Sequence, residues 1–433
     1  MAASMTKPVI LLINHCVPVE PFLRDELPYL MRTGAKIALL PTLPPATPVS
    51  KVEGFPVIPV LARTAIKKCF HVLWGGGTFL LHALRKDCPP KQLACFARLA
   101  HYSASTIFFR HRLEKYIQQN ELHKHPLLIY TYWFSPATYA AFLLKETFPH
   151  IRVVSRAHNI DIFPHRFPGR YLPLRKCCGN WADSVHPCSE EGKNILVQSG
   201  VTEERVHVSH LGVPSSKSIA VASPVNTLCI VSCSNIRSVK RLFLLAESVA
   251  TYARSRKSIS IYWTHLGGEG KALNDLQFKM EREAADIDNL KVTFTGQLHP
   301  DDVRNFYQCN TVDVLINTSE DEGLPVSMME ALSAGVPVVA TRVGGVPELV
   351  NEVTGRLIPR NFTTGDFTNA LDAMVDFKDT AKRQAIVAFF LTRFLRDKNY
   401  SEFVNSVIEP ALRLSENILQ NNELKKTASK GAF

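Results

Sequence analysis

Short apolar runs alternate along this chain with amphipathic stretches of helical period. That alternation predicts an α/β protein built on parallel sheets. Val9–Ile13 is near-continuously apolar and ends at Asn14-His15. Phe22, Leu23, Leu27 and Leu30 follow at helical spacing, Gly34 stops them, and a second run occupies Lys36–Leu40. Helices are predicted at Ala65–Leu84 and Cys88–Asn120, interrupted by Gly75-Gly76-Gly77, and again from about Ser135 to Glu146. Strands are predicted at Leu127–Thr131, Arg152–Ser155, Ser184–Cys188 and Val206–Ser209, with a Ser189-capped helix before the last. Pro214–Pro224, rich in Ser, Ala and Val, has linker composition and lies near the midpoint. After it the pattern restarts with a strand at Thr227–Cys233 and a helix bearing Leu242, Leu245 and Val249. Strands at Ile259–Leu266, Val292–Thr295 and Thr311–Asn317 follow; Asp366 to about Leu414 reads as helical, and Gln420–Phe433 as a disordered polar tail.

The stretch from Ser319 to Val350, SEDEGLPVSMMEALSAGVPVVATRVGGVPELV, carries the densest signal. Its opening lacks a hydrophobic period and reads as a loop. Pro325 suits a first helical turn, Val326, Met329 and Leu332 recur at helical spacing, and Gly335 is a natural stop. Val336–Ala340 is a buried-strand run, and Gly344-Gly345 opens a second tight turn. Glu322 falls in the loop and Glu330 in the second helical turn. Helical side chains lean toward the N-terminus, so both carboxylates can face the space before the helix start. Free N–H groups and the dipole favour an anion there, while carboxylates accept hydrogen bonds from sugar hydroxyls. Spacing alone is equally compatible with two solvated acids.

Composition adds bounds. The 433 residues are 46% apolar and 21% charged, enough for two or three domains with full cores. No run approaches eighteen apolar residues, so no membrane-spanning helix is expected, and Pro8–Ile13 is too short for a signal-peptide core. Ten scattered cysteines without CxxC pairs fit a reducing cytoplasm and argue against structural zinc. Asp286-Ile287-Asp288 is a D-x-D that precedes a strand instead of following one, and it implies no metal. The net charge of +11 is uneven: residues 61–130 hold eleven Lys or Arg, among them Arg63, Lys67 and Lys68, against Asp87, Glu114 and Glu121, a net of +8. Interleaved with Phe70, Trp74 and Phe79, these fit an anionic membrane surface; a solvated face with inward aromatics fits equally. No nucleic-acid motif accompanies the charge, so nucleic acid is not an expected partner.

The Glu322 to Glu330 stretch resembles the E-x7-E signature of the retaining glycosyltransferases of family four, in its EGLPVSxMEAxxxGxPVVAT…GGxPE form. The resemblance implies the GT-B arrangement: two Rossmann-like domains facing across a cleft, with no cofactor and a nucleoside diphosphate sugar as donor. The implied domains are 1–213 for the acceptor, 225–395 for the nucleotide sugar, 396–419 as a helix returning to the first domain, and 420–433 as the tail. By the same resemblance Glu330 binds the ribose and Glu322 the transferred sugar, with backbone contacts from Gly323 and Leu324. Ser234–Arg241 resembles the family's diphosphate turn; Lys240 matches its lysine, Asn235 stands where its arginine would, and Arg237 lies two residues on. Gly296 and Leu298 fall where the family's backbone meets the nucleobase. Arg156–Asp161 resembles an RxHxxD loop, which makes His158 a catalytic candidate beside Glu322 and Lys240 and makes Asp161 its orienting partner. Residues 19–30 resemble the opening of bacterial polysaccharide enzymes, with Val19 in place of the usual glycine. Glu20, Trp133 and Asp161 are the expected acceptor contacts.

The implied reaction is retaining, metal-independent transfer of a hexosyl unit, from UDP in preference to GDP, to a lipid-linked glycan. The expected setting is the cytoplasm, peripheral on the inner face of the membrane, in surface-polysaccharide assembly. A catalytically silent, nucleotide-sugar-binding partner subunit is the alternative, favoured only by Asn235. A Rossmann epimerase or dehydrogenase would need G-x-G-x-x-G with Tyr-x-x-x-Lys, and neither occurs in place.

Overall fold

The computed structural model describes residues 7–44, 48–61, 76–87, 90–178 and 182–430. Arg63, Lys67, Lys68, Phe70 and Trp74, with the first part of the helix expected from Ala65, lie outside the described residues. The chain forms two compact units, Met1–Ser209 with Tyr400–Phe433, and His210–Asn399.

The first unit is built on strands β1 (Val9–Asn14), β2 (Lys36–Pro41), β5 (Leu127–Thr131), β6 (Arg152–Ala157) and β7 (Ser184–Pro187), all parallel, in the order β2-β1-β5-β6-β7. Two-residue strands β3 (Lys51–Val52) and β4 (Phe55–Pro56) make a separate small hairpin. Val9 pairs with Lys36 on one side and Leu127 on the other. All six β1 residues are buried, as in a parallel sheet covered on both faces. Leu11, Ile13, Ile129 and Val153 share a core with Phe109 and Leu113 of helix Leu93–Gln119 and Ala137, Ala140 and Ala141 of helix Pro136–Leu143. β6 runs two residues past the expected Ser155. It thereby places Arg156 inside the sheet, where its Nη2 meets Glu26 Oε2 at 2.9 Å, both side chains fully buried. The first of the two expected helices runs on to Asp87, and the second begins at Leu93 instead of Cys88, after Pro90.

The second unit holds β8 (Thr227–Cys233), β9 (Ser260–Leu266), β10 (Leu290–Phe294), β11 (Val314–Asn317), β12 (Val338–Thr341) and β13 (Gly355–Ile358), parallel in the order β10-β9-β8-β11-β12-β13. Helix Val326–Ser333 starts one residue later than the sequence suggested, with Pro325 as its N-cap.

Three expectations need correction. Val206–Ser209 makes one bridge, Val185 to Val206, and no strand: His207 and Ser209 N–H donate to Val185 O and Pro187 O, but Pro187 has no N–H to return the next bond of the ladder. Pro214–Pro224 is no free linker, and the second unit begins at His210. Ala220 N–H donates to Ala334 O, Arg383 Nη1 donates to Ala220 O, and Ser223 bonds Asp313. The tail is helical: helix Glu409–Lys430 is seated on the first unit by Leu412 and by Ser415, whose Oγ accepts from Leu127 N–H at 2.8 Å. Leu, Glu, Lys and Ala beyond it are good helix formers, so the anchored helix propagates to Lys430.

Candidate functional site

In both sheets the connection order reverses once, between β1 and β5 and between β8 and β11. Ligands of open α/β sheets collect at the carboxyl ends of strands beside such a reversal.

In the second unit the turn after β8 meets the loop after β11. The turn closes as a 3₁₀ segment, Ser238–Lys240, and Arg241 (φ 50°) caps helix Leu242–Ser255. Lys240 Nζ donates to Glu322 Oε1 at 2.5 Å. The same oxygen accepts from Ser319 Oγ at 2.6 Å and Asn317 Nδ2 at 3.1 Å. All three contacts fall on Oε1, which turns the carboxylate and leaves Oε2 outside them. Arg241 fastens the loop, its Nε donating to Thr318 O at 2.6 Å and its Nη1 to Arg360 O at 2.8 Å. Glu320 N–H donates to Val239 O, and Thr341 Oγ1 to Ser319 O. On the other side Gly345 N–H donates to Gly323 O, and Gly344, at φ +52°, passes so close that a Cβ would lie 1.7 Å from Glu322 O.

Glu330 has a different partner from Glu322: Arg304 Nη1 lies 3.5 Å from its Oε1, and the carboxylate is buried. Burial, with the Glu330 charge, pushes the Cys233 thiol at the end of β8 up to about 12, while Lys240 pulls it down. Glu330 and Lys240 therefore both act on the carboxyl end of β8. Gly267 N–H donates to Gly296 O at 3.0 Å, and a Cβ on Gly267 would stand 2.5 Å from Ser234 O, so glycine is required for this approach. The ends of β8, β9 and β10 are thus drawn together. Leu298 is half-buried just beyond, and Asn235 and Arg237 are exposed on the β8 turn. Asp286 of the D-x-D is engaged by Arg254. Among the described residues no group of three or more His, Cys, Asp or Glu could hold a metal.

In the first unit His158 follows β6 and caps the short helix Asn159–Ile162. Its N–H donates to Asp161 Oδ1 at 2.6 Å, and Asp161 Oδ2 accepts from Phe134 N–H. Burial pushes the Asp161 carboxyl up to about 7, against the pull of Arg175. The His158 ring sits among Phe22, Tyr132 and Trp133, with centroids 4.9 to 5.5 Å away. Burial, aided by Arg156, lowers His158 to about 3, so the ring is neutral at physiological pH. It hydrogen-bonds the Tyr132 backbone, and Nε2 is buried with no partner among the described residues. Trp133 Nε1 donates to Glu20 Oε1 at 3.1 Å, and the indole stacks on His15 at 4.9 Å. Burial raises the Glu20 carboxyl. Glu20, Trp133, His158 and Asp161 therefore form one connected cluster.

Sequence reasoning missed Asn317, Ser319, Arg241 and Arg304 around the acids, and His15, Phe22 and Arg175 around His158. The only available signal was position: Asn317 ends a strand and Arg241 follows Lys240. The expected roles of Lys240 and Glu322, one for diphosphate and one for sugar, are here joined in a direct ion pair.

Two parallel-sheet units of this kind, each with polar groups at its reversal point, define the GT-B fold. Residues 227–376 match the family described as glycosyl transferases group 1, and this part of the chain is a domain of that kind. The chain is 26% identical over 234 residues to the putative colanic acid biosynthesis glycosyltransferase WcaL of Escherichia coli K12, covering 53% of this chain and 57% of that one. It is 27% identical over 217 residues to the O-antigen biosynthesis glycosyltransferase WbnH of Escherichia coli, covering 48% and 57%. The matched region thus spans little more than half the length of these relatives. Among solved structures, the apo lipopolysaccharide outer core galactosyltransferase WaaB superposes with a TM-score of 0.67 at 12% identity, over 92% of this chain and 99% of that one. Anabaena HepE in complex with UDP and glucose superposes at 0.60 and 17% identity, over 92% and 98%.

Proposed function

We propose that this chain is a retaining, metal-independent glycosyltransferase of family four. It moves a hexosyl unit from a UDP-sugar to a glycan acceptor, lipid-linked, during cell-surface polysaccharide biosynthesis at the cytoplasmic face of the membrane. The observation that carries this reading is the Lys240–Glu322 pair at the β8/β11 reversal, with Glu330 acting on the same strand end. The likeness to O-antigen and colanic acid enzymes, and a neighbour solved with UDP and glucose, support the substrate class.

In the proposed reaction the diphosphate leaves from the anomeric carbon while the acceptor oxygen attacks the same face, and the acceptor proton passes to the departing phosphate oxygen. Lys240 and Arg237, with N–H groups near Gly323 and Leu324, stabilise the charge that develops on the leaving group. Glu322 accepts from sugar hydroxyls through Oε2, and Glu330 from the ribose. Gly296 and Leu298 border the base, with Asn235 at the mouth of the turn. His158, held neutral, offers Nε2 as an acceptor to a sugar hydroxyl, with Asp161 fixing its backbone. Glu20 and Trp133 contact the acceptor.

Thermal unfolding with UDP, GDP and dTDP tests the donor half. Ligand at about a hundred times its Kd stabilises by roughly 2.7 kcal/mol. A shift with UDP that Lys240→Ala abolishes is expected, with transfer to a lipid-linked acceptor lost in Glu322→Ala. Binding without turnover on any acceptor would instead mark the silent partner subunit, and no shift with any nucleoside diphosphate would remove the donor site.

A further inference from the structure

We infer that Arg304 is a positioning residue of the donor site: its guanidinium aligns the Glu330 carboxylate with the ribose and so sets a preference for ribose over deoxyribose in the nucleotide. The inference rests on the reading of Glu330 as the ribose contact, and adds to it the residue that holds the carboxylate and the sugar specificity that follows.

Arg304 belongs to helix Pro300–Cys309, which begins two residues after Leu298 and lies against helix Val326–Ser333. Val303 and Tyr307, one turn apart, are buried on it, and Arg304 follows Val303 with a side chain 21% exposed, at the edge of the packed face. The guanidinium spans two acids. Its Nη2 donates to Asp301 Oδ1 in the first turn of its own helix, and its Nη1 lies 3.5 Å from Oε1 of buried Glu330 on the facing helix. A planar fork held at one nitrogen does not swing freely at the other. Asp301 is itself placed, because its N–H donates to Nδ1 of the capping His299 at 3.3 Å. The series His299, Asp301, Arg304, Glu330 therefore runs from the loop proposed to border the base to the carboxylate proposed to take the ribose.

Tyr307 marks the contrast. Burial, with the charges of Cys233 and Glu330, pushes its hydroxyl well above the usual phenol range, yet the oxygen has no hydrogen-bond partner among the described residues. The helix thus brings a phenol and a guanidinium beside Glu330, and the guanidinium makes the pair. A carboxylate so far out of water needs a cation to offset its lost hydration. Without Arg304 the carboxylate turns to other donors, and its alignment with the ribose hydroxyls is lost while contacts to base and diphosphate remain.

Titration calorimetry of the full chain with UDP and with 2′-deoxy-UDP reads this as a ratio of Kd values. A hydrogen bond from a hydroxyl to a carboxylate converts to about tenfold, so wild type should bind UDP about tenfold tighter than the deoxy compound. In Arg304→Gln the two should bind nearly alike, with affinity for 2′-deoxy-UDP unchanged, and Arg304→Lys, which keeps the charge, should restore part of the preference. A merely structural role would weaken both nucleotides together and leave the ratio at its wild-type value. Arg304→Gln combined with Glu330→Gln leaves no buried charge unpaired, so it folds even where Arg304→Gln does not, and its ratio should equal that of Glu330→Gln alone. Tyr307→Phe removes an unbonded hydroxyl and should keep the wild-type ratio. Wild type that binds both nucleotides equally, or neither, would remove Glu330 from the ribose and the inference with it. A preference that Glu330→Gln loses but Arg304→Gln keeps, or one that Tyr307→Phe abolishes, would overturn the inference alone.

Discussion

Gly344→Ala should damage turnover far more than its size suggests. The residue sits at φ +52°, where an alanine costs about 1–2 kcal/mol in backbone energy alone. Its Cβ would stand 1.7 Å from Glu322 O, against a floor of 3.0 Å for such contacts, so one backbone must yield at least 1.3 Å (3.0 − 1.7). The loop cannot give freely. Gly323 O is held by Gly345 N–H, Ser319 O by Thr341 Oγ1, and Thr318 O by Arg241. The displacement is therefore carried into the Glu322 carboxylate, and a misplacement of about 1 Å costs on the order of 100-fold in rate. Gly270→Ala is the matched control. It has φ +59°, nothing within 4 Å of its Cβ, and the same backbone cost without the collision. Urea unfolding and steady-state transfer from UDP-sugar are measured on both. Both variants should lose stability, while only Gly344→Ala loses about 100-fold in kcat/KM. Equal turnover in the two would show that contact with the Glu322 loop does not govern catalysis, and would refute the reasoning.

Two further outcomes are expected. Arg241→Ala removes the donors to Thr318 O, Ser319 O and Arg360 O, so kcat should fall more than nucleotide affinity, as titration calorimetry with UDP beside steady-state kinetics will show; an equal loss in both would make Arg241 a ligand contact. His265 is lowered to about 4 by burial, so it stays neutral in the folded chain while the unfolded chain takes up a proton below about 6.5. Its share of stability is full above pH 6.5 and declines as pH falls towards 4, by at most about 1.4 kcal/mol per pH unit. His265→Gln should flatten the pH dependence of unfolding in that window by this amount, and a slope equal to wild type would place the proton uptake elsewhere.

The parallel strands were legible because burial on both faces writes them as unbroken apolar runs, and β8 and β5 begin and end where the pattern says. Errors collected where hydrogen bonding overrides composition. Pro214–Pro224 has linker chemistry, yet Arg383, Asp313 and Ala334 satisfy its backbone and draw it into the second unit. The polar residues after Gln420 have the composition of a tail, but an anchored helix needs no apolar face to continue once nucleated. Neither device has a local signature, because the partners lie ninety or more residues away or the decisive contact is made earlier in the helix.

The same division runs through the candidate site. Glu322, Glu330 and Lys240 could be named from spacing and resemblance, since each belongs to a local turn or helix start. What the sequence could not supply is how they are held: one oxygen of Glu322 receives three donors, from Lys240, Asn317 and Ser319, which come from two different strand ends. That arrangement bears on the charge balance of the site. With Lys240 paired to Glu322, the pair as a whole adds no net positive charge at the proposed diphosphate site, and Lys240 acts there through its remaining N–H donors. Any excess must then come from exposed Arg237 or from main-chain N–H groups, and the missing arginine at Asn235 matters more than it would beside an unengaged lysine. His158 shows the converse: burial among aromatics keeps it neutral, which suits an acceptor to a sugar hydroxyl and excludes a resident cation. In the proposed reaction the electrostatic work of departure therefore falls on the β8 turn and the Glu322 loop, the two segments that Arg241 locks together.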